Sequence, residues 1–116
     1  MGTMINIAEV YTKFPGGRYP QDGKGNGTDF RERFLVPVLK AHGKALIVLD
    51  GAVGYPSSFL DEAFGGLVRS RGFSADQVLS AFEFKAEKPG FSRFVSLIKE
   101  YVRAAKPEPV EDQAQT

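Results

Sequence analysis

Hydrophobic residues recur along this chain with two different spacings, one typical of strands and one typical of helices. Alternation over residues 4–11 predicts a first strand, and alternation over residues 81–85 predicts a later one. Between them, residues 45–49 form a continuous apolar run, which is typical of a strand buried on both faces at the centre of a sheet. A short additional strand is expected around Arg18, within a loop rich in Gly and Pro.

The segment between the first two strands predicts a helix. Thr28 is its expected N-cap, and apolar residues follow at helical spacing as far as Gly43, which ends it. Pro37 has no backbone N–H, so we expect the helix to kink or to restart there. His42 is the single histidine, and with no second His and no Cys we expect a capping or surface role rather than metal binding.

A second helix is predicted to begin near Ser57 or Ser58. Ser58 and Asp61 have the spacing of a capping box, with Asp in place of the usual Glu or Gln. Gly65 and Gly66 lie in the middle of this helix, where each Gly costs about 1 kcal/mol relative to Ala. We therefore expect them to permit the close approach of another backbone, from either the sheet or a partner.

Two further helices complete the pattern. Ser74 and Gln77 have capping-box spacing and predict a short helix, and residues 91–102 have the clearest amphipathic spacing in the chain. Residues 107–116 are acidic, contain Pro and lack an apolar stripe, so we expect a disordered tail. The order of elements predicts one α/β domain over residues 1–106, with a small mixed, mostly parallel sheet of about three to four strands flanked by helices.

Composition narrows the range of functions. The chain has 116 residues, with 15 basic and 14 acidic residues and a net charge of +1, so it lacks the basic excess of most nucleic-acid-binding domains. The absence of Cys excludes disulfides and thiol chemistry and is compatible with the cytoplasm. The longest apolar run, residues 45–49, is too short to cross a membrane. We expect a cytoplasmic domain that binds neither nucleic acid nor membrane and needs no cofactor or metal.

Residues 47–50, the seven-residue loop after them and residues 58–65 resemble the STAS-like family of unknown function. That family is a distant relative of the STAS domains of anti-sigma-factor antagonists and sulfate transporters. Three further pieces agree with the resemblance in order and spacing: residues 15–18, residues 28–35 and residues 81–85. The resemblance covers roughly residues 4–105 and implies a small mixed sheet flanked by helices.

The resemblance also implies a way of working. In the antagonist relatives, the strand–loop–helix unit presents a Ser at the helix N-terminus to a partner ATPase, a serine kinase with a histidine-kinase-like fold. Phosphorylation of that Ser releases the complex. The residues at this position here are Ser57 and Ser58. The phosphorylated pattern has Asp-Ser followed by a small residue and Gly, whereas here the serines lie between Pro56 and Phe59.

The candidate site residues have structural as well as functional interpretations. Ser57 and Ser58 fit a helix cap, a phosphorylation site, or both. Asp50 and Asp61 suggest a paired-carboxylate or Mg²⁺ site, but no further positioned acids or bases accompany them, which favours turn and cap roles. Glu62 is expected to be solvated.

The Gly-rich loop invites comparison with a phosphate-binding loop. In a P-loop the Lys immediately precedes a Ser or Thr at the helix start, whereas here two Gly and an Asn separate Lys24 from Thr28. A flexible loop is therefore favoured over a nucleotide site. Arg18, which follows two Gly, could reach Asp50, Asp61 or the phosphate of a partner.

The leading hypothesis is a non-enzymatic regulatory or scaffolding module that binds a protein partner, with an ATPase of histidine-kinase-like fold as the candidate partner. Its candidate contact residues are Ser57, Ser58, Asp61, Glu62, Gly65, Gly66, Arg18 and Asp50. The alternative is a module that binds a small ligand or nucleotide through Arg18, Lys24 and Asp50. A small enzyme using Asp50 and Asp61 and a homo-oligomer are further alternatives.

Overall fold

Three parallel strands form the centre of the fold. The structure is a computed structural model that describes residues 3–108. The strands are β1 (Thr3–Asn6), β2 (Ala45–Val48) and β3 (Phe82–Lys85), side by side in the order β1-β2-β3. Both pairs are parallel, so the expected α/β class, the parallel sheet and the central position of β2 are confirmed. No antiparallel strand joins this sheet within the described residues.

Five helices accompany the sheet over residues 3–108. Helix α1 (Ile7–Val10) follows β1. Helix α2 runs through residues 27–40 as Gly27–Phe30, a π-helical turn at Arg31–Leu35, and Val36–Lys40. Helix α3 runs through residues 57–69 as Ser57–Leu60, a π-helical turn at Asp61–Gly65, and Gly66–Arg69. Helices α4 (Ala75–Ala81) and α5 (Ser92–Ala104) flank β3, and a 3₁₀ turn spans Pro20–Asp22.

The two faces of the sheet differ in burial because side chains alternate along each strand. One face directs Ile5, Ile47 and Phe82 into the hydrophobic core beneath the helices. The opposite face carries Met4, which is 65% exposed, and Glu83, which is also exposed. None of the helices over residues 3–108 is both long enough and apolar enough to span a bilayer.

The alternation predicted a first strand over residues 4–11, but the strand in the structure is shorter. It ends at Asn6, whose side-chain oxygen accepts a hydrogen bond from the Glu9 N–H at 3.2 Å and so caps α1. Ile7 is fully buried, but it lies in a helix rather than in the predicted strand. The prediction was wrong beyond Asn6, because the Asn6 side chain caps a helix there and the chain does not continue as a strand.

The short strand expected around Arg18 is not formed. The Asp22 carboxylate instead accepts hydrogen bonds from the N–H groups of Arg18 and Tyr19, at 3.1 and 2.9 Å. Thr28 is not the N-cap of α2 either, because Asn26 takes that place and accepts from Asp29 N–H at 2.9 Å. The N–H groups of Arg18 and Tyr19 are thus used by a local side chain. The Arg18 carbonyl accepts from the Thr28 N–H at 2.9 Å, so this segment bonds to the start of α2 and not to the sheet.

Helix α2 passes Pro37 without interruption because its backbone widens just before the proline. The Val36 N–H donates to the Arg31 carbonyl, one residue further back than in an α-helix. The helix ends at Lys40, and His42, not Gly43, has the left-handed backbone, with φ of 55°. Gly43 closes the turn through its N–H, which donates to the Val38 carbonyl at 2.9 Å. The expected capping position of His42 is thus confirmed.

The two remaining helix predictions are confirmed. Ser74 and Gln77 form the reciprocal capping box of α4. Helix α5 buries Phe94, Ile98 and Val102 along one stripe. The predicted tail begins within the described residues, where the Glu108 N–H donates to the Arg69 carbonyl at 2.9 Å. Residues 109–116 lie outside the described residues, and the domain boundary at residue 106 stays a prediction.

Candidate functional site

The loops that follow the strands meet at the carboxyl end of the sheet, where binding sites of parallel α/β folds usually lie. The Val53 N–H donates to the Lys13 carbonyl at 2.9 Å and joins two of these loops. Phe14 and Val53 are 69% and 65% exposed, although both are large and apolar. We use the name carboxyl-end surface for the following residues: Phe14, Pro15, Val53, Gly54, Pro56, Ser57, Ser58 and Arg93.

An open cleft of about 380 Å³ lies in this surface, between the loop after β2 and the start of α5. Its aromatic lining includes Tyr55, whose ring centroid is 6.0 Å from that of Phe91 and 5.3 Å from that of Phe94. The Tyr55 hydroxyl donates to the Leu49 carbonyl at 2.7 Å, and burial raises the pKa of Tyr55 above its ordinary value. Tyr55 therefore anchors the loop from beneath and keeps its backbone in place.

Positive charge borders the aromatic residues. The Arg93 guanidinium lies 5.0 Å from the ring centroid of Phe94, and the Lys88 ammonium lies 4.9 Å from that of Phe91. Within residues 3–108, neither cation has a carboxylate oxygen within 4.0 Å. An acidic group on a binding partner would thus meet cations that have no ion pair in this part of the chain.

Ser57 and Ser58 open helix α3 but do not cap it, so the expected cap is wrong. Pro56 occupies the N-cap position, and its carbonyl accepts from the N–H groups of Phe59 and Leu60 at 3.1 and 3.2 Å. No side chain caps this helix. Ser57 is exposed and Ser58 is half-buried, so both lie at the border of the carboxyl-end surface.

Asp61 points away from the helix start and towards two arginines. Arg18 donates to one Asp61 carboxylate oxygen at 2.7 Å, and Arg69 donates to the other at 3.3 Å. The hydrogen bond to Asp61 raises the pKa of Arg18 above its ordinary value. The predicted contact between Arg18 and Asp61 is confirmed. No Ser58–Asp61 capping box forms, because the N-cap is Pro56 and Ser58 already lies inside the helix.

Glu62 is buried, at 5% exposed, and the expectation that it is solvated is wrong. Arg31 of helix α2 donates to a Glu62 carboxylate oxygen at 2.9 Å and to the Glu62 carbonyl at 2.7 Å. Arg31 also pairs with Glu32 at 2.9 Å. A continuous series of arginines and carboxylates therefore holds the Arg18 loop and helix α2 against helix α3.

Gly65 and Gly66 belong to the same internal arrangement. Both are buried in the isolated domain, as Glu62 is, and the prediction that these three residues contact a partner stays a prediction. A Cβ on Gly66 would overlap the guanidinium of Arg31, and a Cβ on Gly65 would lie 2.8 Å from an Asp61 oxygen. The close approach that they permit is mainly that of charged side chains, rather than of another backbone.

Asp50 closes the loop after β3. Both of its carboxylate oxygens accept from the Glu87 N–H, at 3.0 and 2.9 Å, and one also accepts from the Lys88 N–H at 2.8 Å. These hydrogen bonds to the charged carboxylate lower the pKa of Asp50 below its ordinary value. The expected turn role is confirmed, with the difference that Asp50 ties β2 to the chain after β3.

The Gly-rich loop is held in place rather than flexible. The Tyr11 hydroxyl lies 2.9 Å from the Lys24 carbonyl and 2.7 Å from the Asn26 carbonyl, and burial raises the pKa of Tyr11 to about 12. The Arg18 side chain pairs with Asp61, and the Asp50 carboxylate accepts from the Glu87 and Lys88 amides, whereas Lys24 is held through its backbone carbonyl. Within residues 3–108, no group of three or more Asp, Glu or His side chains could hold a metal ion.

Sequence reasoning missed Phe14, Val53 and Arg31. The signal for the first two was an isolated large apolar residue in a loop of turn formers, where no strand or helix could bury it. No local signal marked Arg31, since its partner Glu62 lies 31 residues away along the chain.

Comparison with known protein families identifies one family, and the region of similarity contains most of the elements described above. A family model described as a STAS-like domain of unknown function matches residues 26–89, more than half of the chain. The chain belongs to this STAS-like family. The match includes α2, β2, α3, α4 and β3, and leaves β1, Arg18 and α5 outside it. No curated protein and no solved structure matches the chain.

Proposed function

We propose that this STAS-like domain is a non-enzymatic module that binds a protein partner through its carboxyl-end surface. One observation supports this most directly. Phe14 and Val53, on adjacent loops, leave most of their apolar surface in water beside the aromatic-lined cleft. Large exposed apolar residues grouped with an aromatic-lined cleft are typical of interaction sites, because covering them releases water from apolar surface.

The rigidity of the loops favours binding. The Val53 N–H bond to Lys13, the Tyr55 hydroxyl bond to Leu49 and the Asp50 bonds to Glu87 hold the surface from three sides. A surface that is ordered before association loses less conformational entropy when a partner binds. We therefore expect binding without a large rearrangement of these loops.

Ser57 and Ser58 give this proposal a means of regulation. Since neither hydroxyl caps helix α3, either could accept a phosphate without breaking a cap. A phosphate at the start of α3 would favour the helix, because the positive end of the helix dipole lies there. It would also add nearly two negative charges at the border of the carboxyl-end surface and so change partner binding. A serine-kinase ATPase of histidine-kinase-like fold, in the cytoplasm, is the partner class that we propose to test first.

The internal ion pairs have a supporting role in this proposal. Arg18, Asp61 and Glu62 connect the Arg18 loop to helix α3, which begins at the carboxyl-end surface. They act on partner binding by holding this loop and helix in place.

The experiment is a pull-down from native lysate with three matched baits besides the wild type. Val53→Ser and Phe14→Ser remove apolar side chains from the carboxyl-end surface. Met4→Ser is the control, because Met4 is as exposed as Val53, at 65%, but lies on β1 before the sheet's carboxyl end. A partner held by the wild type and by Met4→Ser, and lost with both surface variants, would support the proposal. A partner lost only with Met4→Ser would contradict it.

A further inference from the structure

A groove of about 490 Å³ lies along the free edge of β3, on a side of the molecule that the carboxyl-end surface does not include. Strand β3 pairs with β2 alone within the described residues, so its outer edge has no neighbouring strand there. Eight residues border the groove: Leu46, Leu79, Phe82, Glu83, Phe84, Val95, Lys99 and Arg103. The groove is therefore bounded by an unpaired edge strand on one side and by helix α5 on the other.

The register of the sheet fixes which backbone groups of β3 point outward. Lys85 lies opposite Val48, and its carbonyl accepts from the Leu49 N–H at 2.9 Å, so the backbone groups of Lys85 face β2. Along a strand these groups alternate in direction from one residue to the next. The N–H and C=O of Phe84 therefore point out of the sheet at the edge.

The same alternation applies to the residues on either side of Phe84. The Phe82 carbonyl and the Ala86 N–H share its outward direction, whereas the Phe82 N–H is already used, donating to the Val78 carbonyl at the end of α4. This edge thus offers two donors and two acceptors in the spacing that an added strand requires.

The side chains around the edge combine an apolar floor with positive charge. Phe84, Leu79 and Val95 are each half-buried, so each leaves apolar surface open to the groove. Lys99 and Arg103 lie on the side formed by α5, and neither has a carboxylate oxygen within 4.0 Å among residues 3–108. One carboxylate, the exposed side chain of Glu83, also borders the groove, from the opposite face of the sheet to Phe84. The two cations on α5 outnumber it among the lining residues.

We propose that this groove binds an extended acidic segment of a partner protein, which joins the sheet as a fourth strand beside β3. The backbone of Phe84 and its two neighbours pairs with the segment, apolar side chains of the segment pack on Phe84 and Val95, and its carboxylates pair with Lys99 and Arg103. This interaction uses a different side of the molecule and does not depend on the proposed function.

A second copy of this chain is a poorer occupant. Two β3 strands could pair antiparallel about Phe84, with Glu83 opposite Lys85 of the second copy. That arrangement, however, places both helix layers on the same side of the joined sheet. It brings the Lys99 and Arg103 side of α5 against its own copy, and like charges at close range oppose the contact. An acidic segment meets the same cations with opposite charge.

The test uses short fluorescent peptides of alternating Val and Glu, compared with counterparts in which Lys replaces each Glu. Binding is followed by fluorescence anisotropy, and hydrogen exchange of the Phe84 and Ala86 amides is followed by NMR. We expect the acidic peptide to bind about tenfold more tightly than the basic one and to slow exchange at both amides. An acidic peptide with N-methylated backbone amides should lose this binding.

A charge-reversed variant locates the contact. Lys99→Glu combined with Arg103→Glu should weaken binding of the acidic peptide about tenfold, whereas the control Lys40→Glu, on an exposed part of α2, should leave it unchanged. Circular dichroism confirms that each variant is folded. Equal affinity for both peptides, no binding of either, or binding without slower exchange at Phe84 would overturn the proposal. Concentration-dependent protection of Phe84 without peptide would also overturn it, in favour of the second copy.

Discussion

Arg31 lies against Gly66, and its guanidinium occupies the space that a Cβ on Gly66 would need. The same guanidinium donates to the buried Glu62 carboxylate at 2.9 Å. Glycine in the middle of a helix costs about 1 kcal/mol relative to alanine, so this position is unfavourable for α3 alone. Gly66 compensates for this cost, because its missing side chain leaves room for the buried ion pair between helices α2 and α3.

Gly66→Ala should destabilise the domain, although Ala is the better helix former. The added Cβ would force Arg31 away from Glu62 or push the two helices apart, and we expect a loss of about 2 kcal/mol in the free energy of unfolding. Urea denaturation measures this loss. Gly16→Ala is the control, because nothing lies within 4 Å of a Cβ at that position. Gly66→Ala with wild-type stability or better would contradict the packing that we describe.

Glu62→Gln should be among the most destabilising polar substitutions in the chain. It keeps the size of the side chain but removes the one buried carboxylate of the two that pair with Arg31 among residues 3–108, at a cost of about 3–5 kcal/mol. Glu32 also pairs with Arg31, but its side chain is 38% exposed, so Glu32→Gln should cost less than about 1 kcal/mol. Thermal or chemical unfolding of both variants decides this, and similar losses for the two would contradict the account.

Local patterns predicted the elements whose formation depends on nearby residues. The apolar run of β2, the stripe of α5 and the Ser74–Gln77 capping box are all present as expected. The Ser58–Asp61 capping box has the same kind of spacing and is absent. The helix begins at Ser57 with Pro56 as its N-cap, so Ser58 lies inside it, and Asp61 pairs with Arg18, 43 residues away along the chain.

The caps of α2 and α3 can be tested together. Ser58→Ala should change the free energy of unfolding by less than about 0.5 kcal/mol, because the hydroxyl caps nothing. Asn26→Ala should cost about 1–2 kcal/mol, because Asn26 is the buried N-cap of α2. The two losses are compared by chemical denaturation. A larger loss for Ser58→Ala than for Asn26→Ala would reverse our assignment of the caps.

Asp50 should make the stability of the domain depend on pH. Its pKa is lowered in the folded state by the Glu87 and Lys88 amides, so its contribution is complete above the unfolded pKa of about 3.9 and is lost as the pH falls through the folded pKa. The stability of the wild type relative to Asp50→Asn should therefore be constant from pH 7 to about pH 5 and decline below about pH 4. Urea denaturation over this range measures it, and a difference independent of pH would refute the assignment.

The sheet and the position of its carboxyl end could be predicted, but the character of the candidate site could not. The strand–loop–helix unit around Ser57 followed from the run of β2 and the spacing after it. The loop that carries the exposed Val53 is joined to Lys13 through the Val53 N–H, and the buried Glu62 is paired with Arg31. Both are contacts between distant segments, which is why local patterns left Val53 unnoticed and predicted a solvated Glu62.

The most direct measurement of the central claim is site-specific photo-crosslinking with the natural partner. A photoreactive phenylalanine analogue replaces Val53 in one version of the protein and Met4 in the other, since the two side chains are equally exposed at 65%. The account predicts a crosslink to the partner from position 53 and none from position 4. A partner that binds and crosslinks from position 4 but not from position 53 would contradict it.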